Sequence, residues 1–407
     1  MKSSASDKKD SLRLTTAIAL HGKEEEERVL KVLREHRTIM GREIEEFERR
    51  LAKIFEKEYG IMVNSGSSAN LLAIELLNLP PGTEVITPIL TFSTTVAPLI
   101  QKGLVPVFVD VLDGKYVIDA DKVEAAISKK TKALMVPILM GNVPNLEKLQ
   151  KIAKKHNLYY IDDSCDAITS LYKGKSSGAY SDISTTSVYG SHVITAGGNG
   201  GVVMVNKEEL RDKAKVLRGW GRSSAIFSES EKIEYRFSSK IGNIPYDGKY
   251  IFEEIGYNFL PMELGAAFGN AQLDKLKLFI KIRERNAKIL SKLFGQYPDL
   301  FIVPIEDEQA RPQRQVFPVT IKKGAPFTRL ELVTFLEKEN VQTRPIFTGN
   351  ILKQPGFKNI THRDTQKDYE VTDNIMERGF IIGVHQGLTL DHLDKLSNFL
   401  HKFIKQF

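Results

Sequence analysis

The chain has 407 residues, 42% hydrophobic and 27% charged, which excludes a fibrous or wholly disordered polymer and leaves room for two or three ordinary domains. Its 58 Lys plus Arg against 51 Asp plus Glu give a net charge of +7. That surplus favours anionic ligands such as phosphates or nucleotides, but it is too diffuse, and too poor in basic runs with interleaved aromatics, to expect nucleic-acid binding. The absence of any long apolar run or signal-peptide core, together with a single cysteine, Cys165, argues against a membrane span, an intrachain disulfide or a cluster on several thiolates, so a cytoplasmic protein is expected.

Residues 23–56 are rich in Glu, Lys, Arg and Leu, with Ile44, Phe47, Leu51 and Ile54 at helical spacing; they predict two amphipathic helices around a break at Gly41. Beyond them the short apolar runs 61–63, 84–90, 105–111, 133–139, 158–161 and 183–188 read as strands. Residues 68–77 and 146–155 between them carry apolar positions three and four apart and read as crossover helices. Such alternation predicts an α/β fold with a mainly parallel sheet. The polar, Gly- and Ser-bearing stretch 223–249 predicts a long surface loop. Residues 262–294 predict a long helix interrupted near Leu278, after which the rhythm shortens. The boundary is therefore placed near 290, separating residues 1–290, the N-terminal helices and large domain, from a smaller α+β domain over 291–407. No fixed-period repeat is visible.

Three segments carry candidate chemistry. Asn64-Ser-Gly-Ser-Ser-Ala-Asn70 follows a predicted strand and opens a helix, where free backbone N–H groups and the helix dipole favour a phosphate near Gly66 and Ser67; the same letters also make a plain turn and N-cap. Leu158-Tyr-Tyr-Ile-Asp-Asp-Ser-Cys-Asp166 puts three acids just past a strand, at the carboxyl edge where open α/β sheets bind ligands. Asp163 there can hold a pyridinium nitrogen protonated, or the acids can serve as caps. Ser184-Thr-Thr-Ser-Val-Tyr-Gly-Ser-His-Val-Ile-Thr-Ala-Gly-Gly-Asn-Gly-Gly201 runs from a strand into a glycine-rich loop that holds one histidine, His192. Lone histidines are more often structural than catalytic, and His21, His36, His156, His362, His385, His392 and His401 are left in that class.

Together with Gly256-Tyr-Asn-Phe-Leu-Pro-Met-Glu-Leu-Gly-Ala-Ala-Phe-Gly-Asn-Ala-Gln-Leu273, these segments resemble, in order and spacing, the DegT/DnrJ/EryC1/StrS family of sugar aminotransferases. The resemblance implies an aspartate-aminotransferase-type fold, a large cofactor-binding domain, and a homodimer with active sites at the subunit interface. It implies that Gly66, Ser67 and Ser187 hold the cofactor phosphate, that Phe92 of Thr91-Phe-Ser-Thr-Thr95 lies against the ring, and that Asp163 meets the ring nitrogen. Asp166 would lie near the ring hydroxyl, and Asn258 would reach the phosphate of the neighbouring subunit's cofactor.

In aminotransferases of this family a Schiff-base lysine lies five residues after the Ser187 equivalent; here that position is His192, and the nearest lysines are Lys175 and Lys207. The substitution resembles the family's nucleotide-4-keto-6-deoxyhexose 3-dehydratase branch. So do Asp163-Ser-Cys-Asp166, Arg344-Pro-Ile-Phe-Thr-Gly-Asn350 and Ile382-Gly-Val-His-Gln386. One type of that branch carries an iron–sulfur cluster on four cysteines, which Cys165 alone cannot supply. The remaining match is the cluster-free type similar to GDP-4-keto-6-deoxy-D-mannose 3-dehydratase, although the glycine-rich loop is a residue or two longer here and a second histidine often found in that branch is Val193.

What the resemblance implies is a lyase using pyridoxamine 5′-phosphate and pyridoxal 5′-phosphate, with no metal, that removes the C3 oxygen of a nucleotide-linked 4-keto-6-deoxy sugar. His192 would be the acid–base group, L-glutamate the amine donor, and Arg344 a contact to a substrate carboxylate or diphosphate. Two rival readings stay open: an aminotransferase-like half-reaction enzyme, and a non-catalytic paralogue that binds cofactor or sugar nucleotide.

Overall fold

The computed structural model describes residues 13–227 and 231–407. The two N-terminal helices form as their periodicity predicts, α1 over Lys23–Arg34 and α2 over Arg42–Ile54. α2 buries Ile44, Phe47 and Leu51. Gly41 is extended at its start, and the carboxylate of Glu263 accepts from the N–H groups of Gly41 at 2.9 Å and Glu43 at 2.8 Å. A buried acid from a distant helix thus satisfies donors that the first turn of α2 leaves open.

The central sheet contains β1 (Tyr59–Val63), β2 (Glu84–Pro88), β3 (Val105–Val109), β4 (Thr131–Pro137), β5 (Tyr159–Asp163), β6 (Ile183–Ser187) and β7 (Gly201–Val205) in the order β1-β7-β6-β5-β4-β2-β3. β7 runs antiparallel to both neighbours, and the remaining pairs are parallel. Helices α3 (Gly66–Leu77), α4 (Ser93–Gln101), α5 (Leu146–Lys155) and α6 (Glu208–Arg218) lie between strands in the chain and cover the sheet faces. β3 and β7 are consequently near-continuous apolar runs rather than alternating ones, whereas β6, Ile-Ser-Thr-Thr-Ser, is polar although largely buried.

Helix α7 (Glu263–Gly295) is 33 residues long and unbroken, where the sequence pattern suggests an interruption near Leu278. Leu278 is exposed. The pattern breaks because the helix changes partners along its length: Ala266, Leu273, Leu276 and Phe279 pack with α2, while Leu290, Leu293 and Phe294 join the core of the C-terminal lobe. That lobe holds an antiparallel sheet of β8 (Phe301–Ile302), β9 (Val316–Ile321), β10 (Arg344–Pro345) and β12 (Gly379–Gly383), in the order β8-β9-β12-β10, with helices α8 (Arg329–Lys338), α9 (Glu370–Arg378) and α10 (Leu390–Ile404). Between β10 and β12 the chain returns to the central sheet, where β11 (Arg363–Asp364) pairs in parallel with β3 as its eighth strand. The stretch expected as a plain loop over 223–249 carries a helical turn at Ile233–Arg236 and a two-stranded hairpin, Lys240–Ile241 with Ile244–Pro245; residues 228–230 of it lie outside the described residues.

Candidate active site

The carboxyl ends of β4, β5 and β6 and the start of α3 enclose a cavity of about 450 Å³. Ser65 caps α3, its hydroxyl accepting from the Ser68 N–H at 3.1 Å. Gly66 follows, and here glycine is required by space: a Cβ would lie 2.6 Å from the Ser187 Cβ and 3.0 Å from the Cys165 sulfur. Gly201 is needed too, because its Cβ would fall 2.4 Å from the Ser65 carbonyl oxygen. The two glycines let β6 and β7 close on the Ser65–Gly66 turn. The hydroxyls of Ser67 and Ser187 thereby face the same cavity as the open N–H groups of α3, an arrangement suited to a phosphate.

At the end of β5, Asp163 is buried, and its Oδ2 accepts from Asn70 Nδ2 and from Thr95 Oγ1, both at 2.8 Å. The Asn70 amide is itself oriented, donating to the Thr94 carbonyl and accepting from Thr185 Oγ1 at 2.6 Å. Asp163 therefore sits in one orientation at the cavity wall. Asp162, next to it, points into the protein, where its carboxylate accepts from Ser164; burial pushes it up to about 6. Asp166 lines the cavity and accepts from the Met140 N–H at 3.1 Å. Burial, reinforced by the nearby charge of Asp163, pushes its carboxyl up to about 7, so near neutrality it can donate as well as accept a hydrogen bond.

His192 stands opposite, its Nδ1 2.6 Å from the Cys165 carbonyl oxygen. A carbonyl only accepts, so Nδ1 carries the hydrogen and Nε2 is left as a lone pair with no protein partner among the described residues. Burial, aided by the positive charge of Arg283 and opposed by that carbonyl, lowers the imidazole to about 4. At neutral pH the ring is an uncharged base. Tyr189 meets it edge to face at 6.2 Å, and Phe92 meets Phe347 in the same way at 5.8 Å; all four rings line the cavity. No lysine does, among the described residues.

The model of the DegT/DnrJ/EryC1/StrS aminotransferase family matches residues 20–401. The chain belongs to this family. It is similar to the lipopolysaccharide biosynthesis protein RfbH of Salmonella typhimurium, with 38% identity over 89% of this chain and 85% of that protein. It is similar also to the dTDP-4-dehydro-2,6-dideoxy-D-glucose 3-dehydratase of Saccharopolyspora spinosa, with 36% identity over 91% of this chain and 82% of that one. Among solved structures, GDP-4-keto-6-deoxymannose-3-dehydratase with a trapped PLP-glutamate geminal diamine superposes with a TM-score of 0.85 at 28% identity, covering 95% of this chain and 99% of that chain. The fold is the aspartate-aminotransferase type, a mainly parallel large domain with a smaller C-terminal domain.

Of the residues singled out from the family resemblance, Gly66, Ser67, Phe92, Asp163, Asp166, Ser187 and His192 meet in this one cavity. Asn258 does not line it. Its backbone carbonyl lies 3.5 Å from the Asn64 side chain on the outer side of the α3 turn, and its side chain is exposed. Arg344 is also outside the cavity and exposed, donating to the Thr343 carbonyl at 2.7 Å. Sequence reasoning passed over Asn70, Thr95, Tyr189, Gln315 and Phe347. Asn70, Thr95, Tyr189 and Phe347 sit inside the motifs quoted above, so proximity in sequence was a usable signal; nothing local marks Gln315.

Proposed function

We propose that this family member is a pyridoxamine/pyridoxal 5′-phosphate-dependent C3 dehydratase of a nucleotide-linked 4-keto-6-deoxyhexose. It would regenerate the amine form of its cofactor from L-glutamate and serve 3,6-dideoxysugar biosynthesis of the lipopolysaccharide O-antigen type. The observation that carries the reading is His192: an uncharged imidazole, oriented by the Cys165 carbonyl, in a cavity with no lysine among its described lining residues.

The residues present suit such a cofactor. The Gly66 cradle, the α3 N-terminus and the hydroxyls of Ser67 and Ser187 would hold its phosphate, Asp163 its ring nitrogen, Asp166 its ring hydroxyl and Phe92 one ring face. When bound, the cofactor supplies an amine for the C4 ketone and an electron sink. His192 Nε2 would then serve as the base that takes a proton on the cofactor side and as the acid that hands one to the departing C3 hydroxyl. The products would be a 3-deoxy-4-keto sugar and ammonia, with L-glutamate as the amine donor that restores the cofactor. With no lysine among the described lining residues, no amine of this chain would compete for the cofactor's aldehyde form. A homodimer in the cytoplasm, with Asn258 reaching the neighbouring cofactor's phosphate, and a role for Arg344 toward a substrate carboxylate or diphosphate complete the proposal. No iron–sulfur cluster is invoked, because one cysteine cannot hold one.

The relatives' names divide between dTDP- and GDP-linked sugars, so the test spans nucleotides. Pyridoxamine-phosphate-loaded protein is incubated anaerobically, without reductase, with GDP-4-keto-6-deoxymannose and with the CDP- and dTDP-4-keto-6-deoxyglucose analogues, scoring ammonia and product mass. A 3-deoxy product that disappears in His192→Asn is expected. A 4-amino sugar would instead make it an aminotransferase, and unaltered sugar throughout would make it a binding protein.

A further inference from the structure

Helix α7 contributes no residue to the lining of the active-site cavity, yet Arg283, two-thirds of the way along it, is tied to two segments that do. Arg283 is 1% exposed and pairs with no acid among the described residues. Desolvation lowers its guanidinium to about 9, which still leaves a cation at neutral pH. A buried cation without an acid destabilises a fold unless its donors are well used. Here Nε donates to Gln386 Oε1 at 2.9 Å, and Nη1 to the Gln315 and Arg314 carbonyls at 2.8 and 3.3 Å.

The first of these bonds leads to His192. A guanidinium can only donate, so the Gln386 amide turns its oxygen to Arg283 and its NH2 away. That NH2 donates to the carbonyl of Val193, the residue after His192, at 3.4 Å. Gln386 is buried, and the backbone leading to it is held by the same helix, Asn286 Nδ2 donating to the Val384 and His385 carbonyls, each at 3.1 Å. Val193 and Ile194 also share a buried cluster with Leu276 and Phe279 of α7. The second branch leads to Asp166: the Gln315 N–H donates to the Met140 carbonyl at 3.1 Å, and the Met140 N–H to Asp166 Oδ2 at 3.1 Å. We infer that Arg283 is a positioning residue, which from outside the cavity fastens both the backbone beside His192 and the backbone that holds Asp166, and so fixes the imidazole relative to the acid across from it. The inference rests on His192 as the acid–base group of the proposed reaction. The titratable groups that line the cavity with His192 are Asp163, Asp166, Cys165 and Tyr189; the charge that opposes protonation of the imidazole is that of Arg283.

The experiment is nuclear magnetic resonance of the full-length protein carrying 15N-labelled histidine, with the His192 signals identified by their loss in His192→Asn. Wild type at pH 7 should show one tautomer, Nδ1 protonated and Nε2 bare. Gln386→Glu keeps the side chain's shape and still accepts from Arg283, but its ionised carboxylate cannot donate to Val193. In this variant the two nitrogen signals should draw together as the imidazole samples both tautomers, and kcat should fall about tenfold with KM within about twofold of wild type. Arg283→Met should do the same and also move the His192 titration upward from about 4, because the opposing charge is gone; should that variant fail to fold, Gln386→Glu decides alone. A role in folding alone would lower the melting temperature and leave both signals at their wild-type positions, and that result in folded Gln386→Glu overturns the inference. Wild type inert toward every sugar would refute the proposed reaction, while the spectra would still decide the role of Arg283.

Discussion

Replacing His192 with asparagine should alter the pH dependence of stability by an amount that follows from its surroundings. The native imidazole stays neutral down to about pH 4, against an ordinary value of 6.5. Between those values the unfolded chain binds the proton and the native site does not, so His192 makes stability rise with pH through the window and fall as pH drops from about 6.5 to about 4. At pH 5 the unfolded side chain is almost fully protonated and the native one roughly a tenth so, which costs the native state about 2 kcal/mol relative to pH 7. His192→Asn removes this term. Asp162, Asp166 and His385 also have displaced values, but they are present in both proteins and cancel in the difference. Urea unfolding of cofactor-free wild type and variant at pH 7 and pH 5 measures it. The variant should gain about 2 kcal/mol on wild type between the two pH values. A difference that stays constant within about 0.5 kcal/mol would falsify the assignment of His192 as a desolvated, neutral base.

Three further outcomes are expected. Gly66→Ala places a methyl 2.6 Å from the Ser187 Cβ, an overpacking cost of about 1–3 kcal/mol, and should weaken pyridoxal phosphate binding about tenfold by absorbance titration. Gly295→Ala, with nothing within 4 Å of its added carbon, should leave binding unchanged. Asn70→Leu removes one of two side-chain donors to Asp163 and strands the Thr185 hydroxyl; it should cost about 1–3 kcal/mol in urea unfolding and move the pH at which the bound cofactor's absorbance titrates. Arg218→Met leaves Glu48, bonded to it at 2.7 Å, as an uncompensated buried charge, and should destabilise by about 3–5 kcal/mol; Glu48→Gln in the same chain should recover part of the loss in melting temperature.

Local pattern carried a good part of the architecture. The apolar runs 61–63 and 158–161 fall within β1 and β5, the latter extending to Asp163, and residues 146–155 became α5. β7 went unread although Gly-Val-Val-Met-Val is wholly buried, because it emerges directly from the glycine-rich loop and looks like its continuation. α4 went unread because Thr94, Thr95, Val96 and Pro98 are poor helix formers; its burial against the sheet outweighs its propensity.

The site divides along the same line. The amino-acid order alone placed a glycine and hydroxyls at a helix start, an acid at a strand end and a histidine in a tight loop, since turns, caps and strand ends are written within a few residues. It could not show that Gly66 is the only residue able to admit Ser187, that Asn70 and Thr95 aim Asp163, or that the Cys165 carbonyl selects which nitrogen of His192 is free. Nor could it show that Arg283 lies buried with no acid paired to it among the described residues. Each of those facts depends on contacts between segments tens to hundreds of residues apart, and only the closing of the sheet and the packing of α7 across both lobes bring such segments within reach of one another.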